Sequence, residues 1–435
     1  MGRLAARRGT LVSIASVAIC LVFAGAAAGA VGGLDSSFSG DGKAVTDFTS
    51  RHDWASSVVV QPDGAILVAG ESGYGSGARF GVARYRTDGT LDPSFGGDGK
   101  VRTDLTNGID FAYDMALQAD GKIVVTGEAG YLMSNPRVGV VRYNADGTLD
   151  ASFGGGDGIV ITDVTRREDW GDGVSIEADG KIVVGGGCGY TSDTGTVCAI
   201  RYNPDGSFDS AFGVGGQKRI DITPVRDWAN SVTLQTDGKI VLAGESGFGT
   251  RNPKFVLVRL DGDGVPDPTF GGDGIRTVDV TGYHDAALAV QIQADGKIVA
   301  AGGAGWTRVR PGRFAAVRLN ADGSLDPAFS GDGMLTAAMP FRNSGANGLA
   351  VQLDGRLILA GYAGGQIAVA RFNADGTLDS SFGGDGRRTT AVTGKGDSGN
   401  AVALQADGKI LVAAEVGYNL ANGNEKMAVL RYLGS

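Results

Sequence analysis

Histidine is almost missing from this chain of 435 residues: His52 and His284 are the whole supply. Zinc hydrolysis of the HExxH type therefore has no pair to use, and neither a GxSxG elbow nor a phosphate-binding glycine loop occurs. Runs of Lys or Arg are absent as well, and the formal net charge is −9. An acidic surface repels phosphate backbones, which argues against a nucleic-acid partner. Helix start and stop signals are missing. The one extended apolar run, Leu11 to Phe23, is too short to span a bilayer, and no later segment is apolar enough to do so. Cysteine is scarce: Cys20, Cys188 and Cys198.

That apolar run follows Arg3, Arg7 and Arg8 and precedes Ala28-Gly29-Ala30, so residues 1–30 read as a secretory signal peptide. General secretion is the expected route, because two adjacent arginines do not by themselves make a twin-arginine signal. Cys20 follows Ile19, where lipid attachment needs a small residue, which speaks against a lipoprotein. Cleavage removes three positive charges and no negative one, taking the charge from −9 to about −12. It leaves an even pair, Cys188 and Cys198, suited to an oxidising compartment. The expected mature chain, residues 31–435, is secreted, extracellular or held at the cell surface.

Glycine, by contrast, is plentiful at 75 residues, and it falls at fixed places in a repeat. The segment LDPSFGGDGK, Leu91 to Lys100, returns with Phe38, Phe95, Phe153, Phe212, Phe270, Phe329 and Phe382 in one position, at steps of 57, 58, 59, 58, 59 and 53 residues. After the last of these, 53 residues remain, which suggests no further domain. Such a period marks units too small to bury their own apolar faces, which stack on one another.

Within the first unit, Ser57 to Val60 and Ile66 to Ala69 flank Gln61-Pro62-Asp63-Gly64, a hairpin whose glycine supplies the left-handed turn residue. A variable glycine-rich loop leads to a third strand, Phe80 to Tyr85, and the turns of Thr87 to Gly99 lead to a fourth, Lys100 to Asp104. Seven such units predict an all-β chain forming one seven-bladed β-propeller of four-stranded antiparallel blades, with Phe95 and its equivalents wedged between blades. The array begins at a fourth-strand segment, Lys43 to Asp47, and finishes at a third strand, Met427 to Tyr432, so the ring is expected to close by pairing the two.

The repeat LD-x-SFGGDG, the hairpin ADGKI-VAG and the strand ending VRYNADGTLD resemble the bacterial delta-60 repeat, a family of secreted propeller repeats, over the whole mature chain. The resemblance implies the fold and carries no general reaction or ligand. The fourth copy departs from it, with Phe208, Val214 and Gly216-Gln217 in the turn segment, which leaves that turn open.

In a propeller the loops entering the inner strands share a face with those joining second to third strands. The first set carries Asp53, Asp110, Asp169, Asp227, Asp285 and Asp397, with Ser344 in the sixth copy, beside Trp54, Phe111, Trp170 and Trp228. The second carries Glu71, Glu128, Glu245 and Glu415 with Tyr74, Tyr131, Tyr190, Phe248, Trp306 and Tyr418. Residues present in nearly every copy are expected to build the repeat. Positions that differ are the better functional candidates: Ser56, Tyr113, Asp172, Asn230, Leu288, Asn347 and Asn400 stand three residues after the ring Asp position. Of these and the face aromatics, Asp172, Asn230, Asn347, Asn400, Tyr113 and Trp306 are the candidate ligand-binding residues.

No cofactor is expected from the main reading, a non-catalytic, monomeric propeller binding a protein or glycan on its loop-rich face. A glycan ligand would make it lectin-like. The alternative is a calcium-dependent hydrolase, since Asp172, Asn230, Asn347 and Asn400 are oxygen donors and the arrangement is similar to secreted propeller lactonases and phosphotriesterases with calcium in the tunnel. Asn144-Ala145-Asp146-Gly147, with Asp150 after it, resembles part of a calcium loop but has Arg142 where the first acidic ligand belongs and reads as a turn. Gly396-Asp397-Ser398-Gly399 spells a serine-protease motif with no histidine placed to serve it. Cys188 and Cys198 align with Ser72 and Gly81 at the two sides of one loop and are expected to form a disulfide.

Overall fold

The computed structural model describes residues 29–73, 75–131, 133–307, 311–394, 396–418 and 425–434. The signal-peptide reading falls on residues 1–30, of which 1–28 lie outside the described residues, as does Tyr74. Seven four-stranded antiparallel sheets follow one another. The first blade runs from its inner strand outward as Asp53–Val60, Ile66–Ser72, Arg79–Tyr85 and Lys100–Thr103. The predicted hairpin is there: Gly64 N–H donates to the Gln61 carbonyl at 2.9 Å with Gly64 at φ 86°. One 3-10 turn among the described residues, Gly75–Gly77, interrupts the β structure. Among the described residues no helix is long and apolar enough to cross a membrane.

Each apolar core belongs to two blades. Leu67, Phe80, Val82 and Phe95 of the first blade pack with Met115, Ile123, Val125 and Tyr143 of the second, so no blade is buried without its neighbour. All seven wedge phenylalanines are fully buried. Each lies under an arginine from the third strand; Arg142 sits 4.6 Å from the Phe153 ring centre, and its Nε donates to Asp150 at 2.7 Å while Nη1 donates to the Pro204 carbonyl of the next blade. The deviant turn of the fourth copy keeps one common bond, Gly216 N–H donating to the Phe212 carbonyl at 2.9 Å as Gly99 does to Phe95, but its left-handed residue moves from the Gly97 position to Gly215 (φ 61°), and Val214 N–H donates to the Gln217 carbonyl at 2.8 Å. The ring closes as expected. Lys43–Thr46 pairs antiparallel with Lys426–Tyr432, from Lys43 opposite Leu430 to Thr46 opposite Met427.

Candidate functional site

Every inner strand carries one extra residue. Register shifts fall between Ala55 and Ser57, Ala112 and Asp114, Gly171 and Gly173, Ala229 and Ser231, Ala287 and Ala289, Ala346 and Gly348, and Gly399 and Ala401. The skipped residues are the seven divergent positions singled out in the sequence: Ser56, Tyr113, Asp172, Asn230, Leu288, Asn347 and Asn400. A β-bulge bends its strand and re-aims one side chain. Here the seven bulges aim at the axis, and their side chains line one central channel of about 230 Å³. Close backbone approach to a glycine accompanies the bulges of the first six blades: a Cβ at Gly127 would stand 1.8 Å from the Phe111 carbonyl oxygen.

The channel is divided by chemistry. On one side three amides latch neighbouring blades, Asn230 Nδ2 donating to the Ala287 carbonyl at 2.7 Å, Asn347 to Gly399 at 2.9 Å and Asn400 to Ala55 at 2.8 Å. On the other stand two carboxylates. Asp114, missed by the sequence reading although only its copy has an acid there, accepts from Ser57 Oγ at 2.8 Å and from the Val174 N–H at 3.0 Å. Asp172 accepts from the Trp170 indole at 2.5 Å, and burial, with Asp114 adding to it and the indole opposing, pushes its carboxyl up to about 7. Of the four residues of the calcium alternative, two have their amide oxygens already engaged. The Asn230 oxygen accepts from the Trp228 indole at 3.1 Å, and the Asn400 oxygen accepts from Ser398 at 3.1 Å and Asn347 at 3.3 Å. Among the described residues no three His, Cys, Asp or Glu side chains gather as a metal cage.

Around the channel mouth the repeated aspartates are structural. Asp110 accepts from the Leu105, Thr106 and Gly130 N–H groups and from the Thr106 hydroxyl, at 2.7–3.1 Å, tying two loops together from a fully buried position. Asp397 does the same for Val392, Thr393 and Gly417, which disposes of the protease motif. The aromatics form an arc: Trp54 meets Phe111, Phe111 meets Tyr113 and Tyr131, and a chain of contacts runs from Trp170 through Tyr190, Trp228, Phe248 and His284 to Trp306, with centroids 5.1–6.2 Å apart. Trp306 thus lies at the far end of the arc and not in the channel with the other five candidates.

Beneath the arc sit carboxylates. His284 pairs with Glu245 at 2.9 Å and His52 with Glu425. Burial, with Glu415, Asp53 and Glu425 nearby, pushes Glu71 up to about 8, and burial with Glu168 and Asp172 pushes Glu128 to about 8 against a hydrogen bond from Tyr113. In the third blade Cys188 and Cys198 form the expected disulfide, with Cα atoms 5.9 Å apart across the second and third strands.

A family model described as a domain of unknown function (DUF5122) beta-propeller matches residues 61–95, 118–153, 177–212, 235–270, 293–329, 352–382 and 405–434, once per blade. No curated protein matches the chain. Among solved structures, a catalytically inactive virginiamycin B lyase from Staphylococcus aureus with quinupristin is 9% identical over 89% of this chain and 98% of that one, with a TM-score of 0.51. The polysaccharide lyase Uly1 is 12% identical over 90% and 92%, also with a TM-score of 0.51. At such identities the likeness is one of fold.

Proposed function

We propose, from the premise that the chain belongs to the DUF5122 beta-propeller family, that it is an exported binding module which takes a protein or glycan ligand on the face carrying the aromatic arc. The delta-60 resemblance, the signal-peptide reading of residues 1–30 and a monomeric state at or beyond the cell surface belong to the same proposal. The observation that carries it is the arc itself. Trp54, Phe111, Trp170 and Trp228 are each half-buried on that face, although a side chain needed only to fill a seam would be fully covered. Large, rigid rings with one side wet are the side chains that dominate recognition surfaces. Beneath them, the polar groups of the channel are largely spent on one another and on neighbouring backbone, which suits a scaffold better than a reaction centre.

The test is a screen of residues 31–435 on glycan and peptide arrays, with each hit measured again on Trp228→Ala. Binding that weakens at least tenfold in the variant supports the face; hits indifferent to Trp228 place the ligand elsewhere. The hydrolase alternative has its own readout. Calcium-dependent turnover of a lactone or phosphotriester, or a melting temperature that rises with calcium and no longer does so in Asp172→Ala, would replace the binding reading.

A further inference from the structure

Between the second and third blades the face opens into a cleft of about 370 Å³ lined by Tyr113, Glu128, Tyr131, Glu168, Trp170, Tyr190 and Trp228. Its floor is a buried acid. Glu128 is 3% exposed, its Oε2 accepts from the Tyr113 hydroxyl at 3.1 Å, and its Oε1 is buried with no hydrogen-bond partner. A buried carboxylate oxygen left without a donor is costly, and native structures leave few of them. The charged groups facing Glu128 make matters worse, since Glu168 and Asp172 are both acids. Arg226 stands against one wall, donating to the Tyr190 hydroxyl at 2.8 Å and lying over the Tyr190 and Phe248 rings, so the Tyr190 ring already carries a cation. Arg166 and Arg167 line an adjoining groove that shares Tyr131, Glu168 and Tyr190 with the cleft, so they border it beside Glu168 while Glu128 lies on the other side, among the cleft's own residues.

We propose that this cleft holds the ammonium head of a primary alkylamine, free or as a lysine side chain, with Glu128 as its carboxylate partner and the rings of Tyr113, Tyr131, Trp170 and Trp228 as its aromatic walls. The inference rests on the binding-face reading above and names the chemistry of its ligand. An N–H donor supplies what Oε1 lacks, a positive charge pairs with the carboxylate that forms as Glu128 gives up its proton, and aromatic walls attract a cation where they would be indifferent to a neutral hydroxyl. A quaternary ammonium satisfies the charge and the rings but brings no proton for Oε1. A sugar hydroxyl brings the proton without the charge.

Binding is coupled to ionisation. Burial, with Glu168 and Asp172 adding and Tyr113 opposing, raises Glu128 to about 8, so at neutral pH the empty site is mostly protonated and must release that proton when the ammonium enters. Affinity therefore climbs with pH towards about 8.

Trp170 and Trp228 report on the cleft by fluorescence. Titration with n-butylammonium, tetramethylammonium, butan-1-ol and the blocked peptide acetyl-Gly-Lys-Gly-amide should show the primary amine binding, the alcohol not binding and the quaternary ion weaker. The butylammonium affinity should tighten roughly tenfold or more from about pH 6 to about pH 8. Glu128→Gln, which keeps size and fold, should lose at least tenfold in affinity together with the pH slope. A peptide tighter than butylammonium assigns the head to a protein partner, and the reverse order to a free amine. Equal binding of butanol and butylammonium, a flat pH profile unchanged by Glu128→Gln, or no binding by any probe overturns the inference. A neutral glycan hit that is lost in Trp228→Ala would keep the binding face while removing the amine.

Discussion

Glu71 shows at the scale of one residue how much this fold asks of its carboxylates. It is buried beside Glu415 and Glu425, its Oε2 has no hydrogen-bond partner, and its pKa rises from 4.5 to about 8, while Glu415 rises to about 7. The folded state then holds protons that the unfolded chain has released. Stability from these groups is present in full below about 4.5 and is lost as pH climbs through 7 to 8. The melting temperature should accordingly fall between about pH 5 and about pH 8, and Glu71→Gln should flatten that slope. An unchanged slope in the variant would assign it to other groups. A glycine makes a second case. Gly127 lies against the Phe111 carbonyl, and Gly127→Ala should cost roughly 1–3 kcal/mol by forcing the bulged strand away. The seventh blade has Ala414 at this position, opposite Gly399, whereas Gly127 faces Ala112. Adding Ala112→Gly to Gly127→Ala should therefore recover part of the loss in chemical denaturation, and a double variant no better than the single would refute the compensation.

At the scale of an element, the loop between the second and third strands of the third blade is held by the Cys188–Cys198 bridge, ten residues apart. Loop closure on that span stabilises by about 2–3 kcal/mol, so Cys188→Ala with Cys198→Ala should lower the unfolding free energy measured by chemical denaturation by that amount. Two reactive thiols in the unfolded, unreduced protein would contradict the bridge. This pairing was legible in the sequence because both cysteines align with known strand positions. The hairpins were legible for a similar reason: Asp63-Gly64 is local turn chemistry, satisfied within four residues. A bulge has no such signature. Divergence between copies points to Tyr113, Asp172, Asn230, Asn347 and Asn400, and the structure gathers them in one channel; only the calcium alternative makes the asparagines oxygen donors. What the sequence does not show is that their amide nitrogens reach sideways to carbonyls of the next blade, a contact set by inter-blade distance that one chain's pattern does not encode. The Arg–Asp pairs were visible and missed. Arg84 and Asp92, Arg142 and Asp150, Arg201 and Asp209 recur eight residues apart, and they buttress the wedge phenylalanines.

For the whole molecule the decisive joint is the one where the chain's two ends meet. Six seams are crossed by continuous chain; the seventh blade takes its outer strand, Lys43–Thr46, from the other end of the protein. That contribution is more than four residues of ladder. Phe38 fills the seam with Ala55, Ile66, Met427 and Val429, Asp35 accepts from Arg431 Nε at 2.8 Å, and Gly32 N–H donates to the Leu433 carbonyl at 2.7 Å. Removing residues 31–50 strips the partner from one long edge, Lys426–Tyr432, empties the seam of its wedge, and leaves Arg431 buried without its acid. An unpaired edge is a template for another copy of the same chain, and a buried arginine deprived of its carboxylate costs several kcal/mol. The truncated protein should melt at least about 5 °C earlier and associate in light scattering at concentrations where the parent stays monodisperse. Asp35→Asn separates the two effects, since it keeps the strand and the wedge but removes the charge: it should lower stability by about 1–3 kcal/mol without association. If the truncated chain is as heat-stable and as monodisperse as the parent, the ring does not depend on its closing strand, and the stability of the fold must come from the six continuous seams alone.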